Sequence, residues 1–250
     1  MGIYIERRPP RIIPQRRYRR YPIPGKSGEA LKLLPGWENY MQPYEIAIVP
    51  LLSEHNLSLQ IDKVTEWLLY PGGYQRLEDS YNPGVYRMAA VTNAVEVTNQ
   101  LGKFGRAVLQ MECLPERWLL DGDKWQTVDL AEGLSLANPT LYDAEPLISI
   151  TATGSVGLVV NNYVNSRLTH HTGYILNIGT RSKTVRIDSE KKGDAKYSDG
   201  TNANGIITVG GEAYPILYPT GVNTIGITDN GGELTGTVTA LSIKPRWYIP

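Results

Sequence analysis

Stretches in which apolar and polar residues alternate dominate the chain from residue 85 onward. Residues 106–114 alternate up to Pro115, and further runs flank turn-forming segments at 153–155, 179–183 and 229–232. Alternation places one face of a strand in a core, and two such runs around a turn are typical of a β-hairpin. The pattern predicts a strand that ends at Pro115, three hairpins and, from the regular strand spacing, a β-sandwich or barrel.

One segment has the spacing of an amphipathic helix. In residues 59–70, Ile61, Val64, Trp67 and Leu68 recur at intervals of three or four, so we expect them to share a buried face. A Pro-Gly-Gly sequence follows directly and ends the helix. The chain has 25 glycines and 17 prolines, which argues against long helices elsewhere.

The first 45 residues follow neither pattern. Five prolines between Pro9 and Pro24 exclude a helix there, so the segment is predicted to be an extended arm or belt. Such an arm cannot bury its aromatic residues against itself, and exchange of arms between identical chains is a simple way to cover them. The aromatic residues expected at this contact are Tyr18, Tyr21, Trp37, Tyr40 and Tyr44.

The charges of the chain are segregated. Lys and Arg together number 25, as do Asp and Glu, yet residues 1–26 carry a net charge of +7 and residues 27–250 one of −7. We favour an interpretation in which the basic arm of one molecule docks on the acidic residues 27–250 of a neighbouring molecule, because this contact pairs the two opposite charges. Contact with nucleic-acid phosphates and bases, or a solvated tail, are the alternatives. Residues 1–26 contain seven arginines, of which Arg16, Arg17, Arg19 and Arg20 form the densest group.

Cysteine and histidine give no sign of a reactive or metal site. Cys113 is the only cysteine, which excludes an internal disulfide and a Cys-based zinc site. His55 is isolated, while His170 and His171 are adjacent and would point to opposite faces of a strand. We expect these histidines to lie in turns or at the surface.

Other motifs for cofactors, catalysis and membranes are missing as well. The acidic turns at 121–123 and 188–190 lack calcium-loop spacing, and no glycine pair has nucleotide-binding spacing. The longest apolar run, residues 46–52, is far shorter than the roughly 20 residues that span a bilayer. The basic N-terminus has no apolar stretch behind it and does not match a secretory signal. We expect no catalytic residue, cofactor, metal or membrane partner.

The proline-containing segment 136–146 is the predicted domain junction. It separates an N-terminal domain with the arm, residues 1–137, from a second domain that begins at residue 138. The alternating residues 237–243 and the Lys-Pro-Arg-Trp-Tyr that follows them are too apolar to be a solvated tail, so they must pack on another part of the molecule.

Several short motifs, in order over most of the chain, resemble the distal tail proteins (Dit) of siphophages. They are Pro24-Gly25-Lys26-Ser27-Gly28, Glu66-Trp67-Leu68, Val85-Tyr86-Arg87, Asn138-Pro139-Thr140, Ile187-Asp188-Ser189-Glu190, Pro219-Thr220-Gly221-Val222-Asn223 and Pro245-Arg246-Trp247. Lys26 stands where the family often has arginine, and Thr220 interrupts the family's Pro-Gly pair. The arginine-rich first 20 residues have no counterpart in this match.

The resemblance implies a mainly β fold in two parts. The first is an N-terminal β-sandwich with one helix and a belt, including Pro24 and Gly25, that closes a homohexameric ring. The second is a galectin-like outer β-sandwich, residues 138–240, that projects outward. The terminal segment 241–250, with Pro245, Arg246 and Trp247, would return as a strand to the N-terminal domain.

A structural, non-enzymatic role follows from the same resemblance. The ring would form the hub at the distal end of a long non-contractile tail, between the major tail tube protein and a tail-associated fibre or lysin protein. The outer domains can carry receptor-binding or baseplate proteins, and the tape measure protein and then DNA pass through the centre. The protein would belong to the virion tail tip and assemble in the host cytoplasm.

A function of another class remains as the alternative, a stand-alone carbohydrate-binding module or glycan-active enzyme built from two β-sandwiches. Sugar sites of the galectin type need a tryptophan for stacking, and no tryptophan lies between Trp125 and Trp247. We therefore expect the outer domain to be a scaffold without a sugar site.

Overall fold

The computed structural model describes residues 2–50, 56–92, 96–100, 104–228 and 234–250. Within these ranges the chain is mainly β with one α-helix, which confirms the predicted fold class. In chain order the elements are β1 (Ile3–Ile5), β2 (Arg16–Pro22), β3 (Glu29–Trp37), β4 (Tyr40–Ile48), α1 (Leu57–Leu69), β5 (Gln75–Leu77), β6 (Val85–Ala90), β7 (Val97–Gln100), β8 (Phe104–Leu119), β9 (Gln126–Thr127), β10 (Leu134–Leu136), β11 (Leu147–Val164), β12 (Arg167–Asp188), a 3-10 helix (Ser189–Lys191), β13 (Asp194–Tyr197), a second 3-10 helix (Asn204–Ile206), β14 (Ile207–Gly211), β15 (Val222–Thr228), β16 (Thr237–Lys244) and β17 (Tyr248–Ile249).

The chain forms two compact units. The first contains the residues up to Arg117 together with Pro250, and the second contains Trp118–Ile249. The boundaries expected from the sequence, at 137/138 and 240/241, remain predictions about separately folding domains.

In the first unit a sheet runs in the order β1-β4-β8-β6-β5, with β7 also paired to β8. Alternate residues of β4 point into the core, as period-two alternation requires. Helix α1 packs on the same face of the sheet and adds two residues to this core. The core consists of Tyr44, Ile46, Ile48, Leu57, Val64, Ala107 and Leu109.

The predicted helix is confirmed as α1, which begins two residues earlier and ends one residue earlier than expected. Asn56 caps it, because its side-chain oxygen accepts a hydrogen bond from the backbone N–H of Leu59 at 3.2 Å. Val64 is buried as predicted, but Trp67 is 56% exposed and its predicted burial is wrong. At 3.6 residues per turn, Trp67 projects from the edge of the buried face rather than from its centre near Val64.

Strand β8 contains the predicted strand at 106–114 but does not end at Pro115. Its pairing with β4 extends only as far as Cys113, which lies opposite Tyr40. The missing N–H of Pro115 therefore removes no hydrogen bond to β4, and a proline is tolerated where a strand lacks a partner on one side.

In the second unit two long strands, β11 and β12, pair along almost their whole length. The hairpins predicted around 153–155 and 179–183 are wrong, because these segments lie inside the two strands. Gly154 and Gly179 are paired with each other at a shift in register, with φ angles of 70° and 87°. Each glycine marks a bulge, which looks like a turn in the sequence because both need a left-handed residue.

The paired bulges divide the sheet of the second unit into two halves. On one side of them β11 pairs with β15 and β12 with β14, and on the other side β11 pairs with β16 and β12 with β13. Buried residues from both halves, such as Ile150, Leu158, Leu176 and Ile187, belong to a single core. The unit thus has the arrangement of a β-sandwich.

The turn between β11 and β12 lies at Asn165 and Ser166, where the sequence predicted no hairpin. Both residues have positive φ angles, 50° and 63°, as a two-residue type I′ turn requires. The loop of the third predicted hairpin, 229–232, lies outside the described residues. In the described residues, its flanking strands β15 and β16 follow one another along the same edge of β11.

Candidate functional site

The arm forms a two-stranded antiparallel ribbon of β2 and β3, separate from the two larger sheets. Pro24 and Gly25 lie in its connection, where the N–H of Lys26 donates to the carbonyl of Ile23 at 3.2 Å. Gly25 has a φ of 74°, which favours glycine. Every residue of β2 is exposed, and residues 16–37 contain six basic residues and one acidic residue, for a net charge of +5.

One face of the ribbon is largely apolar. Tyr18 lies opposite Leu33, and Arg20 lies opposite Leu31, so these four side chains share a face. Leu31 is 59% exposed, and Tyr18 and Leu33 are exposed as well. We call Tyr18, Arg20, Leu31 and Leu33 the ribbon patch.

The other face is cationic. Arg19 lies opposite Lys32, and the guanidinium of Arg19 lies 5.3 Å from the centre of the Tyr21 ring. At the open end of the ribbon the guanidinium of Arg16 lies 4.6 Å from the centre of the Trp37 ring. Such contacts hold the arginines in place without neutralising them. The four arginines of β2, Arg16, Arg17, Arg19 and Arg20, are exposed.

The ribbon projects from a fixed base. Strand β1 pairs with β4, and the side-chain amide of Gln42 donates a hydrogen bond to the carbonyl of Pro10 at 3.0 Å. The N–H of Glu38 donates to the carbonyl of Gln15 at 2.8 Å and so joins the two chain segments at the root of the ribbon. The arm is therefore fastened on its own unit at several points before the ribbon begins.

A buried polar network lies beneath this base. Arg87 donates to Asp79 at 2.9 Å, to the hydroxyl of Tyr40 at 3.2 Å and to the side-chain oxygen of Gln42 at 3.1 Å. The hydroxyl of Tyr44 donates to the same carboxylate of Asp79 at 2.8 Å. Burial raises the pKa of Asp79, but hydrogen bonds from Tyr44 and Asn82 and the charge of Arg87 outweigh it and hold that pKa below its ordinary value.

Two of the predicted contact residues belong to this network. Tyr40 and Tyr44 are buried in the first unit, so neither side chain can touch a neighbouring molecule directly. Expecting them at a surface contact is therefore wrong, because the alternation along β4 points both into the core. The candidates that reach the surface are Tyr18, Tyr21, Pro24, Gly25 and the half-buried Trp37.

The terminal motif is also anchored. Pro245 is buried, and Trp247 is buried in the core of the second unit. Arg246 has a φ of 57° and donates to Asp188 at 2.6 Å and to Glu190 at 3.2 Å. These contacts confirm that the apolar end packs. They lie within the second unit, while Pro250, whose carbonyl accepts from Arg117, belongs to the first.

The two adjacent histidines have structural partners. His170 contacts Glu212 at 2.7 Å, and His171 contacts Asn161 at 2.6 Å. Burial raises the pKa of the Cys113 thiol to about 11, so it stays protonated. Across the described ranges, no three His, Cys, Asp or Glu side chains are placed to hold a metal ion. His55 lies outside the described residues.

Within the same ranges, no helix has the length and apolar character that crossing a bilayer requires. No protein-family model and no curated protein matches the sequence. Solved structures do match. The Dit protein of phage SPP1 has 13% sequence identity and a TM-score of 0.65, over 97% of this chain and 91% of that chain. A chain of the phage p2 baseplate in its activated conformation with Sr has 9% identity and a TM-score of 0.51, over 97% of this chain and 90% of that chain.

The likeness to SPP1 Dit extends over both compact units, and the resemblance suggested by the short motifs is confirmed for the fold. At 13% identity, shared architecture is what the comparison establishes. The chain has the fold of a Dit-like distal tail protein.

Proposed function

We propose that this protein is the structural hub at the distal end of a long non-contractile phage tail. The observation that carries the proposal is the extent of the likeness, over 97% of this chain and 91% of SPP1 Dit. SPP1 Dit is described as a paradigm of the hub adsorption apparatus in phages that infect Gram-positive bacteria. A shared fold permits other functions, but a ribbon whose first strand is exposed at every residue fits an assembly protein, which needs a surface for its neighbours.

In this proposal six copies form a ring, one face of which binds the major tail tube protein and the other a tail-associated fibre or lysin protein. The outer domains carry receptor-binding or baseplate proteins in phages that have them. The tape measure protein and then DNA pass through the channel. The protein acts in the virion tail tip, needs no cofactor and assembles in the host cytoplasm.

The charges support a position for the ribbons. Double-stranded DNA carries a negative charge about every 1.7 Å along its axis, so a channel lined by six +5 ribbons would retain it. We place the arginines at contacts between subunits or against an adjoining tail protein, and carboxylates of the body toward the channel. An assembled ring with Arg16, Arg17, Arg19 and Arg20 around its channel would disprove this placement.

Native mass spectrometry together with electron microscopy tests the proposal. A species of six times the 27.8 kDa chain mass, seen as a ring and located at the distal end of the tail tube, is the expected result. The alternative carbohydrate-binding module or glycan-active enzyme would remain a 27.8 kDa monomer, bind or cleave glycans and be missing from tail tips. This second outcome would overturn the hub function.

A further inference from the structure

The second unit carries basic side chains on the outer face of β12 and β13. Along β12, Val185 and Ile187 are buried whereas Arg186 between them is exposed, so Arg186 points away from the core. The register of the two strands places Arg186 directly opposite Lys196, which is exposed as well. Side chains in such a pair have Cβ atoms about 4.5–5.5 Å apart, and like charges there are destabilising. An anion bound between them would replace this repulsion with attraction.

Two adjoining depressions surround this pair. One, of about 250 Å³, is lined by Arg186 and Lys196 together with Lys191 from the 3-10 helix that follows β12. The other, of about 420 Å³, is lined by Lys191 and Lys192. Lys191 belongs to both, so the two depressions form one groove. We call Arg186, Lys191, Lys192 and Lys196 the basic groove.

The charge of this region is opposite to that of the rest of the unit. Residues 181–196 contain six of the ten basic residues in the second unit and three of its thirteen acidic residues. The segment therefore has a net charge of +3, whereas the remainder of the second unit has one of −6. A local basic region on an acidic body attracts an anionic ligand to one place.

The carboxylates that line the groove already have partners. Asp188 accepts a hydrogen bond from Arg246 at 2.6 Å, and Asp194 accepts one from the side-chain amide of Asn204 at 2.9 Å. These contacts hold both acids in place and reduce their competition with a ligand for the basic side chains.

The bases of the groove, in contrast, are weakly engaged. Lys191 and Lys196 lie 3.8 Å and 3.7 Å from the nearest carboxylate oxygens, which is beyond hydrogen-bonding distance. Within the part of the chain that the structure describes, Arg186 and Lys192 form no salt bridge. Exposed ion pairs of this length contribute little to stability, so a ligand can replace them at small cost.

The lining of the groove favours a polymer over a protein or a nucleic acid. None of the large apolar side chains that the second unit exposes in its described part lines the groove, whereas the centre of a protein interface is typically apolar and aromatic. Tyr197 packs against the core and lies under Lys183, whose Nζ is 4.7 Å from the ring centre. It therefore offers no open ring face for the stacking of bases.

We propose that the basic groove binds a phosphodiester-linked polyol polymer of the host cell surface. The inference rests on the proposed function, because a hub at the tail tip is brought to that surface during adsorption. The two unesterified oxygens of one phosphodiester accept hydrogen bonds from Arg186 and Lys196, and the next phosphodiester along the polymer contacts Lys191 and Lys192. Six grooves in one ring act together, so each single groove needs only modest affinity.

Titration of the full-length protein with a synthetic glycerol-phosphate oligomer tests the inference. Isothermal titration calorimetry at about 50 mM salt measures the dissociation constant. Arg186→Gln combined with Lys196→Gln should weaken binding at least about 10-fold, because two charged contacts with phosphate are lost. The slope of the logarithm of affinity against the logarithm of salt concentration should become shallower by about 0.7 for each lost contact.

A matched variant and two further ligands serve as controls. Lys124→Gln combined with Arg167→Gln removes two exposed bases outside the groove, changes the net charge equally and should leave binding unchanged. Far-ultraviolet circular dichroism and thermal unfolding verify that both double variants fold. Polyglycerol without phosphate should not bind, and single-stranded DNA with the same number of phosphates should bind more weakly than the oligomer, because its bases find no open aromatic side chain.

Three results would overturn the inference. They are a wild-type protein that does not bind the oligomer, equal losses for the two double variants, or single-stranded DNA that binds at least as tightly as the oligomer. None of them removes the hub function, which is decided by the mass of the ring and its location at the distal end of the tail tube. Conversely, a protein that binds the oligomer but is missing from tail tips would contradict the hub function and leave the chemistry of the groove intact.

Discussion

Single residues of the buried network connect the arm to the body of the first unit. Gln42 accepts a hydrogen bond from Arg87 and donates one to the carbonyl of Pro10, so the arm is tied to the Arg87–Asp79 ion pair through one side chain. Both charged side chains are almost fully buried. The sequence does not reveal this pair, because its members face each other only when β4, β6 and the loop between β5 and β6 come together.

Removal of the Arg87 charge should strongly destabilise the protein. Arg87→Met leaves the carboxylate of Asp79 buried without its charged partner, which typically costs about 3–5 kcal/mol in the free energy of unfolding. Urea denaturation followed by tryptophan fluorescence measures this loss. Arg7→Met is the matched control, because it breaks the exposed Arg7–Glu45 pair and should cost less than about 1 kcal/mol. Equal losses for the two variants would contradict the stabilising role of the buried pair.

The pH dependence of stability should report on Asp79. Its pKa is lower in the folded state than in the unfolded chain, where it is about 3.9, so the unfolded state binds the proton more tightly. The stabilisation is present above that value and is lost as the pH falls through the lower, folded-state pKa. We expect the unfolding free energy of the wild type to fall below about pH 4, and to fall less steeply for Asp79→Asn. Parallel curves of unfolding free energy against pH for the two proteins would show that Asp79 does not contribute to the pH dependence of stability.

At the scale of elements, the sequence predicted strongly periodic segments well and glycine-containing ones poorly. The helix predicted at 59–70 is present as α1, because its three-to-four spacing and the Pro-Gly-Gly that follows both indicate a helix that ends near residue 70. The segments at 153–155 and 179–183 were predicted as turns, although they are bulges in long strands. A short sequence cannot distinguish a turn from a bulge, because both require a residue with positive φ. Which of them forms depends on the pairing of strands that are distant in the sequence.

The two bulge glycines should differ in their tolerance of a side chain. A Cβ atom on Gly154 would meet the Cα of Gly236 at 2.7 Å, whereas one on Gly179 would meet nothing within 4 Å. Gly179→Ala should cost about 1–2 kcal/mol for the left-handed backbone alone. Gly154→Ala should cost more, because a backbone contact is added to the same conformational penalty. Chemical denaturation of the two variants compares them directly, and a larger loss for Gly179→Ala would contradict the bulge geometry.

At the scale of the whole molecule, the sequence revealed that basic and acidic residues are segregated, but not that the basic segment folds into a two-stranded ribbon. The +7 of residues 1–26 predicted a basic arm, and the structure places most of these bases on a ribbon that no other part of its unit covers. The exposure of Trp67 could not be predicted, because this residue has the helical spacing of a core residue but projects from the edge of the buried face of α1.

Self-association driven by these charges should weaken with salt. Screening shortens from about 10 Å at 0.1 M to about 3 Å at 1 M ionic strength, so the dissociation constant from sedimentation velocity should rise at least about 10-fold across this range. Replacing Arg16, Arg17, Arg19 and Arg20 with glutamine should weaken association at low salt and flatten the salt dependence. The control replaces four exposed bases of the second unit, Arg181, Lys183, Lys191 and Lys192, with glutamine and lowers the net charge equally. If both variants behave alike, association follows the total charge of the molecule and the ribbon has no specific role.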